Sequence, residues 1–225
     1  MSVAERLAEV RARIERAAVA SGRDASSIRL VAVSKTKSEA LIREAYAQGQ
    51  RAFGESYAQE LDKKATALAD LKDLEWHFIG HLQSNKAKLV ARTAHVVHAI
   101  DHASLARELS KRATTFGRTL QALVEVKLSR EPTKHGVVSE ELEELLRAIE
   151  AEPALKLRGL MTMPELGDLA LAKSAFSTLR SLRDLHGGVA RLPALSMGMT
   201  GDLEVAIAEG ATMVRVGTAI FGERS

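Results

Sequence analysis

The sequence has no cysteine in its 225 residues, so disulfides and thiolate metal sites are excluded and nothing points to an oxidising compartment. Proline is scarce, with four residues, and no linker-like shift in composition marks a second domain. Neither sign of charge dominates. The 32 Lys and Arg residues are interleaved with 29 Asp and Glu, which describes a solvated surface rather than the basic face of a nucleic-acid binder. No apolar run approaches the roughly 18 residues that span a membrane. The N-terminal segment is Arg-rich, but Glu5, Glu9 and Glu15 set it apart from acid-poor transit peptides. A soluble cytoplasmic protein without nucleic-acid or membrane partners is expected. Also missing are a Gly-x-Ser-x-Gly elbow and a Gly-x-x-x-x-Gly-Lys-Ser/Thr loop.

What is present is alternation. An opening helix places Val3, Leu7, Val10 and Ile14 on one stripe and stops near Gly22. Ile28–Val33 is an apolar, β-branched run broken only by Arg29, as in a strand buried on both faces. Ser38 then caps a helix carrying Leu41, Ile42 and Ala45, closed by Gly49. Further strands are predicted at Arg51–Gly54, Glu75–Ile79, His95–Ile100, Leu120–Val126, Leu157–Met161, Ala194–Ser196 and Thr212–Val216. Helical stripes separate them, such as Leu142, Leu145, Leu146, Ile149 and Leu171, Ala175, Leu179, Leu182. Eight strand–helix units imply parallel strands with right-handed crossovers. They suit a single α/β domain over residues 1–225, a (β/α)8 TIM barrel with an extra N-terminal helix. An open doubly wound sheet is the alternative that periodicity leaves standing.

Barrel sites lie at the C-terminal strand ends. Residues 196–202 (Ser-Met-Gly-Met-Thr-Gly-Asp) follow the seventh strand, with Thr200 placed to cap the next helix, and Gly217-Thr218 follow the eighth. Small residues, amides and hydroxyls in these two loops suit a phosphate. Lys35 ends the first strand; partial burial near other cations would make its amine nucleophilic. Lys37 would share its side if the chain runs on extended, so spacing does not choose between them. His77 and His81, and His95, His98 and His102, have metal-like intervals for a helix. Both groups fall on strands and their exits, where such spacing does not converge rings, so no metal site is expected.

Several blocks of the sequence also resemble the YggS/PROSC family of pyridoxal-phosphate homeostasis proteins, almost end to end. They are residues 30–37 (Leu-Val-Ala-Val-Ser-Lys-Thr-Lys), 53–60 (Phe-Gly-Glu-Ser-Tyr-Ala-Gln-Glu), 76–86, 134–136, 159–161, 195–202 and 214–222. The resemblance implies a barrel like the N-terminal domain of alanine racemase, of PLP fold-type III, with pyridoxal 5′-phosphate as cofactor. It assigns the aldehyde to Lys35 as a Schiff base and the phosphate to Ser196, Met199, Thr200, Gly217 and Thr218. Arg215 is brought to the pyridine nitrogen, and Ser56, His77 and Met161 surround the ring. The chain departs from the family pattern at Ser56 and Lys127, where Asn is common, and at Thr200, where Ser is; Thr keeps the hydroxyl, while Ser56 loses an amide.

Three functions compete. The first is a monomeric carrier that buffers the cofactor or delivers it to PLP-dependent apo-enzymes. The second is an amino-acid racemase. Two-base racemisation needs a second group, a second-domain tyrosine in alanine racemase; the tyrosines here are Tyr46 and Tyr57, and only nine residues follow Val216, so efficient turnover is not expected. The third is a barrel enzyme for a phosphorylated metabolite.

Overall fold

The computed structural model describes residues 1–129, 131, 134–165 and 167–223. Eight parallel strands follow one another around a closed barrel in chain order. They are β1 (Arg29–Val33), β2 (Ala52–Glu55), β3 (Glu75–Phe78), β4 (Val96–Ile100), β5 (Leu120–Glu125), β6 (Leu155–Met161), β7 (Ala194–Ser196) and β8 (Met213–Val216). Closure comes from β8 pairing with β1, Val31 opposite Arg215 and Ala32 opposite Val216, which removes the open-sheet alternative. All eight predicted strands are present, every end within two residues of its predicted position, and Val126 continues β5 as an isolated bridge to Val137.

The helices are α1 (Val3–Ala20), α2 (Glu39–Ala47), α3 (Ala58–Ala67), α4 (Ala87–Thr93), α5 (Ala103–Thr115), α6 (Leu142–Glu150), α7 (Leu169–Leu185), α8 (Gly188–Arg191), α9 (Leu203–Ala208) and α10 (Thr218–Phe221). Helix α1 is the expected extra one. Ser2 and Glu5 form a capping box at its start, satisfying two otherwise orphaned amides. Its buried stripe of Val3, Leu7, Val10 and Ile14 packs over α9 and α10. On α6 the predicted stripe is buried; on α7 it is turned by one residue, to Ala172, Ala175, Phe176 and Leu179, because Phe176 is the bulkier group to bury and Leu171 is left exposed. Ser38 occupies the N-cap of α2 without a side-chain bond.

Strand residues alternate between two environments, as period-2 geometry demands. Trp76, Phe78, Val97, Leu195, Val214 and Val216 join the core between barrel and helices. Each large side chain so buried contributes roughly 1.5–3 kcal/mol. Facing the other way are a smaller apolar cluster of Val96, Leu123, Met161 and Ala194, with Met163 and Met213 against it, and the buried polar residues His77, His98, Ser196 and Arg215. Met161 is therefore a packing residue of the interior.

Candidate active site

Lys35 does not continue the extended strand. Lys37 N–H donates to Ser34 O at 3.0 Å across a tight turn, and Thr36 has a left-handed backbone with φ of 63°. Expecting Lys35 and Lys37 on one side is thus wrong, because the turn breaks the alternation. Lys37 Nζ donates to the Glu223 carbonyl at 2.5 Å. The turn is clamped from beneath: Ser34 Oγ donates to Glu55 Oε1 at 2.6 Å, and Thr36 N–H donates to Glu60 Oε1 at 2.6 Å. Lys64, almost fully buried, joins them, donating to Ser34 O at 2.6 Å and to Glu55 at 2.8 Å and pairing with Glu60 at 2.7 Å. Burial pushes the Glu55 carboxyl up, and Lys64 and Ser34 pull it back.

The loops after β7 and β8 meet. Thr200 Oγ1 and Thr218 Oγ1 lie 3.2 Å apart. A Cβ on Gly198, where φ is +94°, would come within 2.5 Å of Ala206 Cβ, so that position needs glycine, and one on Gly217 would come within 3.0 Å of Val33 O, a tight contact. Gly217 thereby abuts the end of β1, two residues before Lys35. Thr200 is not the cap of α9; that position is Asp202, whose carboxylate instead accepts the Met199 N–H at 2.5 Å. Helix α9 has six residues and α10 four, so the cradle rests on hydroxyls and amides more than on helix dipoles. Arginines hold it from outside: Arg13 donates to Thr200 O at 3.0 Å and Arg6 to Ile220 O at 2.8 Å. Asp202 and these arginines escaped the sequence reading, although Arg6 and Arg13 sit two turns apart on one flank of α1.

Beneath the mouth a polar chain crosses the barrel. Arg215 Nη1 donates to Ser196 Oγ at 2.6 Å, and Nη2 to Thr162 O at 3.0 Å. The direction of the chain is set at its far end, where the Glu75 carboxylate, held down at about 2, only accepts; Ser196 Oγ accepts from Arg215 and donates its hydrogen to His98 Nδ1, 2.9 Å away. His98 then carries its proton on Nε2 and donates to His77 Nδ1 at 2.9 Å. That leaves His77 Nε2–H facing Glu75 Oε1 at 3.1 Å, and Glu75 pairs with Arg29. Burial lowers the pKa of both imidazoles, which stay neutral, consistent with one proton per link. Burial also lowers Arg215, to about 10, so it remains charged at neutral pH. His77 and His98 are links of this chain, and the sequence signal for it was Glu75 and His77, spaced two apart on one strand face.

Glu125, at the end of β5, is buried, and burial with Asp101 nearby pushes it up to about 7. Its folded pKa exceeds the ordinary value, so the folded state favours its proton, and stability falls as pH rises from about 4.5 through 7. Glu125→Gln is expected to remove that loss, at most about 3 kcal/mol, read as a gain in thermal stability over the parent near pH 8 that vanishes near pH 5. An equal gain at both would refute it.

An amine at a strand end, a hydroxyl-and-amide cradle on the neighbouring strands and a fixed buried guanidinium suit a ligand with an aldehyde, a phosphate and an acceptor atom between them. The alanine racemase N-terminal domain family matches residues 6–225. A pyridoxal phosphate homeostasis protein of Pseudomonas aeruginosa is 47% identical over 225 residues, 99% of this chain and 96% of that one. The chain belongs to the pyridoxal phosphate homeostasis family. Two structures of the family member PipY from Synechococcus elongatus, without and with PLP bound, superpose with TM-scores of 0.88 and 0.85 at 39% and 38% identity, each covering 98% of this chain and 100% of PipY. Among the residues the family resemblance assigned, the structure groups Thr200, Thr218, Met199 and Gly217 at the cradle and Arg215, Ser196 and His77 in the interior chain. Ser196 turns its hydroxyl inward to Arg215 and His98, away from the cradle. Ser56 follows β2, half-buried, its carbonyl so close to Gly80 that a Cβ there would sit 2.3 Å from it. Lys127 lines a cleft with Glu165 and Thr178.

Proposed function

We propose that this protein binds pyridoxal 5′-phosphate, with the amine of Lys35 taking its aldehyde, and acts as a cytoplasmic monomer that buffers the cofactor or delivers it to PLP-dependent apo-enzymes. Bound cofactor would supply an electron-withdrawing ring. The observation that supports holding over turnover is Arg215, a buried guanidinium fixed by Ser196 Oγ and Thr162 O. Beside the ring nitrogen such a cation disfavours its protonation and weakens the ring as an electron sink. Thr200 and Thr218 would hold the phosphate with the amides of Met199, Gly217 and Thr218, the Met199 N–H exchanging Asp202 for the anion. Of the tyrosines, Tyr46 donates to Asp73 and stacks under Arg51, and Tyr57 is exposed at the start of α3. No described helix is long and apolar enough to cross a membrane.

Chiral analysis after incubation with amino acids tests this reading; robust racemisation would replace it with the racemase. Thr218→Ala is expected to weaken cofactor retention about tenfold, the worth of one charge-assisted hydrogen bond, with the circular dichroism spectrum intact. Unchanged retention in dialysis would remove Thr218 from the cradle.

A further inference from the structure

Three side chains from neighbouring strand ends converge on the rim of the barrel, across from the loops after β7 and β8. His81 follows β3, Asp101 follows β4, and His135 lies in the loop after β5. One nitrogen or oxygen from each falls within 4.8 Å of the others. The His81 and His135 rings stack, centroids 3.6 Å apart and 12° from parallel, and His81 Nδ1 is 3.8 Å from Asp101 Oδ2. This grouping is none of those that sequence spacing suggested.

The arrangement is held in place on two sides. Asp101 is largely buried, and its second oxygen, Oδ1, meets His102 Nδ1 at 2.6 Å, which orients the carboxylate. The loop carrying His135 doubles back on β5: Val137 N–H donates to Glu125 O, and Lys127 N–H to Val137 O, both at 2.9 Å. Gly136 makes that approach feasible, with φ of +122° and a would-be Cβ only 2.6 Å from Lys127 N. His135 is thus presented by pinned backbone. Each neutral imidazole has one nitrogen with a lone pair to offer beside the carboxylate.

We propose that His81, Asp101 and His135 form a site for a divalent transition metal, zinc by ligand type. Two imidazole nitrogens and one carboxylate oxygen make three ligands of a tetrahedral set, with the fourth position open to solvent. Both histidines are exposed, so their rings turn out of the stack without disturbing packed neighbours. None of the three residues belongs to the set assigned to the cofactor, so failure here leaves that reading untouched.

Calorimetric titration of the purified full chain with Zn2+ tests the site, with Co2+ as a probe whose visible bands report the ligand set. One equivalent per chain is expected, and His81→Ala, His135→Ala and Asp101→Asn should each weaken binding about tenfold or more. The Co2+ bands should fade in the same variants while circular dichroism stays unchanged. Absence of binding at micromolar Zn2+ overturns the proposal, as does binding that all three substitutions leave intact. Should Asp101→Asn fail to fold, the two exposed histidine variants decide.

Discussion

Lys35→Ala is expected to abolish the borohydride-fixable absorbance that marks covalently held cofactor, whereas Lys37→Ala should retain it. The two lysines differ by their places on one turn. Lys37 spends its ammonium on the Glu223 carbonyl beyond α10. Lys35 sits at the apex of a turn whose flanks, Ser34 and Thr36, are tied to Glu55 and Glu60. Register supports the choice, since β1 runs beside β8, Val31 opposite Arg215, and Gly217 packs against Val33. A nucleophilic amine must be delivered to a carbonyl held by its other end, and on the proposed reading a clamped turn next to the cradle would do so at little entropic cost. Peptide mapping after borohydride reduction reads the result. Label on Lys37, or full label in Lys35→Ala, would overturn the assignment.

The fold was largely legible because its signals are local and repeated. β-Branched runs bounded by glycine and polar residues mark strands wherever they occur, and eight strand–helix units leave few topologies. Closure was not legible: it depends on Val31 meeting Arg215 across more than 180 residues, which no local pattern encodes. The loops after β7 and β8 were readable from Gly and Thr content. Their details were not, since Asp202 rather than Thr200 takes the N-cap and then turns back to Met199. The turn at Lys35 was hidden for a sharper reason. A β-branched residue disfavours positive φ, so Thr36 gives no hint that the chain bends there. His77 and His98 looked like spaced ligands because strand alternation, not helical spacing, governs where their rings go. The same blindness concealed Asp101 with His81 and His135, whose meeting requires three separate strand ends.

Lys64→Met should be strongly destabilising, by about 3–5 kcal/mol in denaturant unfolding, the usual cost of stripping one partner from a buried ion pair. Lys64 has 6% side-chain exposure and Glu55 none, so neither charge can fall back on water. Glu55 Oε2 has no hydrogen-bond partner among the described residues, and burial already pushes its carboxyl up. Without Lys64 the cheapest response is for Glu55 to take a proton, so the loss should shrink in acid. The folded carboxyl would then have a pKa above its unfolded value, and its penalty would grow as pH rises between the two. Adding Glu55→Gln should restore much of the stability, because the amide oxygen still accepts from Ser34 and no buried charge remains. Cofactor binding should recover less, since Lys64 also fixes Ser34 O and Glu60, and Glu60 holds the Thr36 amide beside Lys35. A single variant as stable as the parent, or a double variant no better than the single, would show that the pair does not clamp this turn. The two glutamates flank Ser56-Tyr57 in the block Phe53–Glu60. Within that block Glu55 and Glu60 support the lysine turn, and Lys64, one helical turn beyond it, supplies the charge.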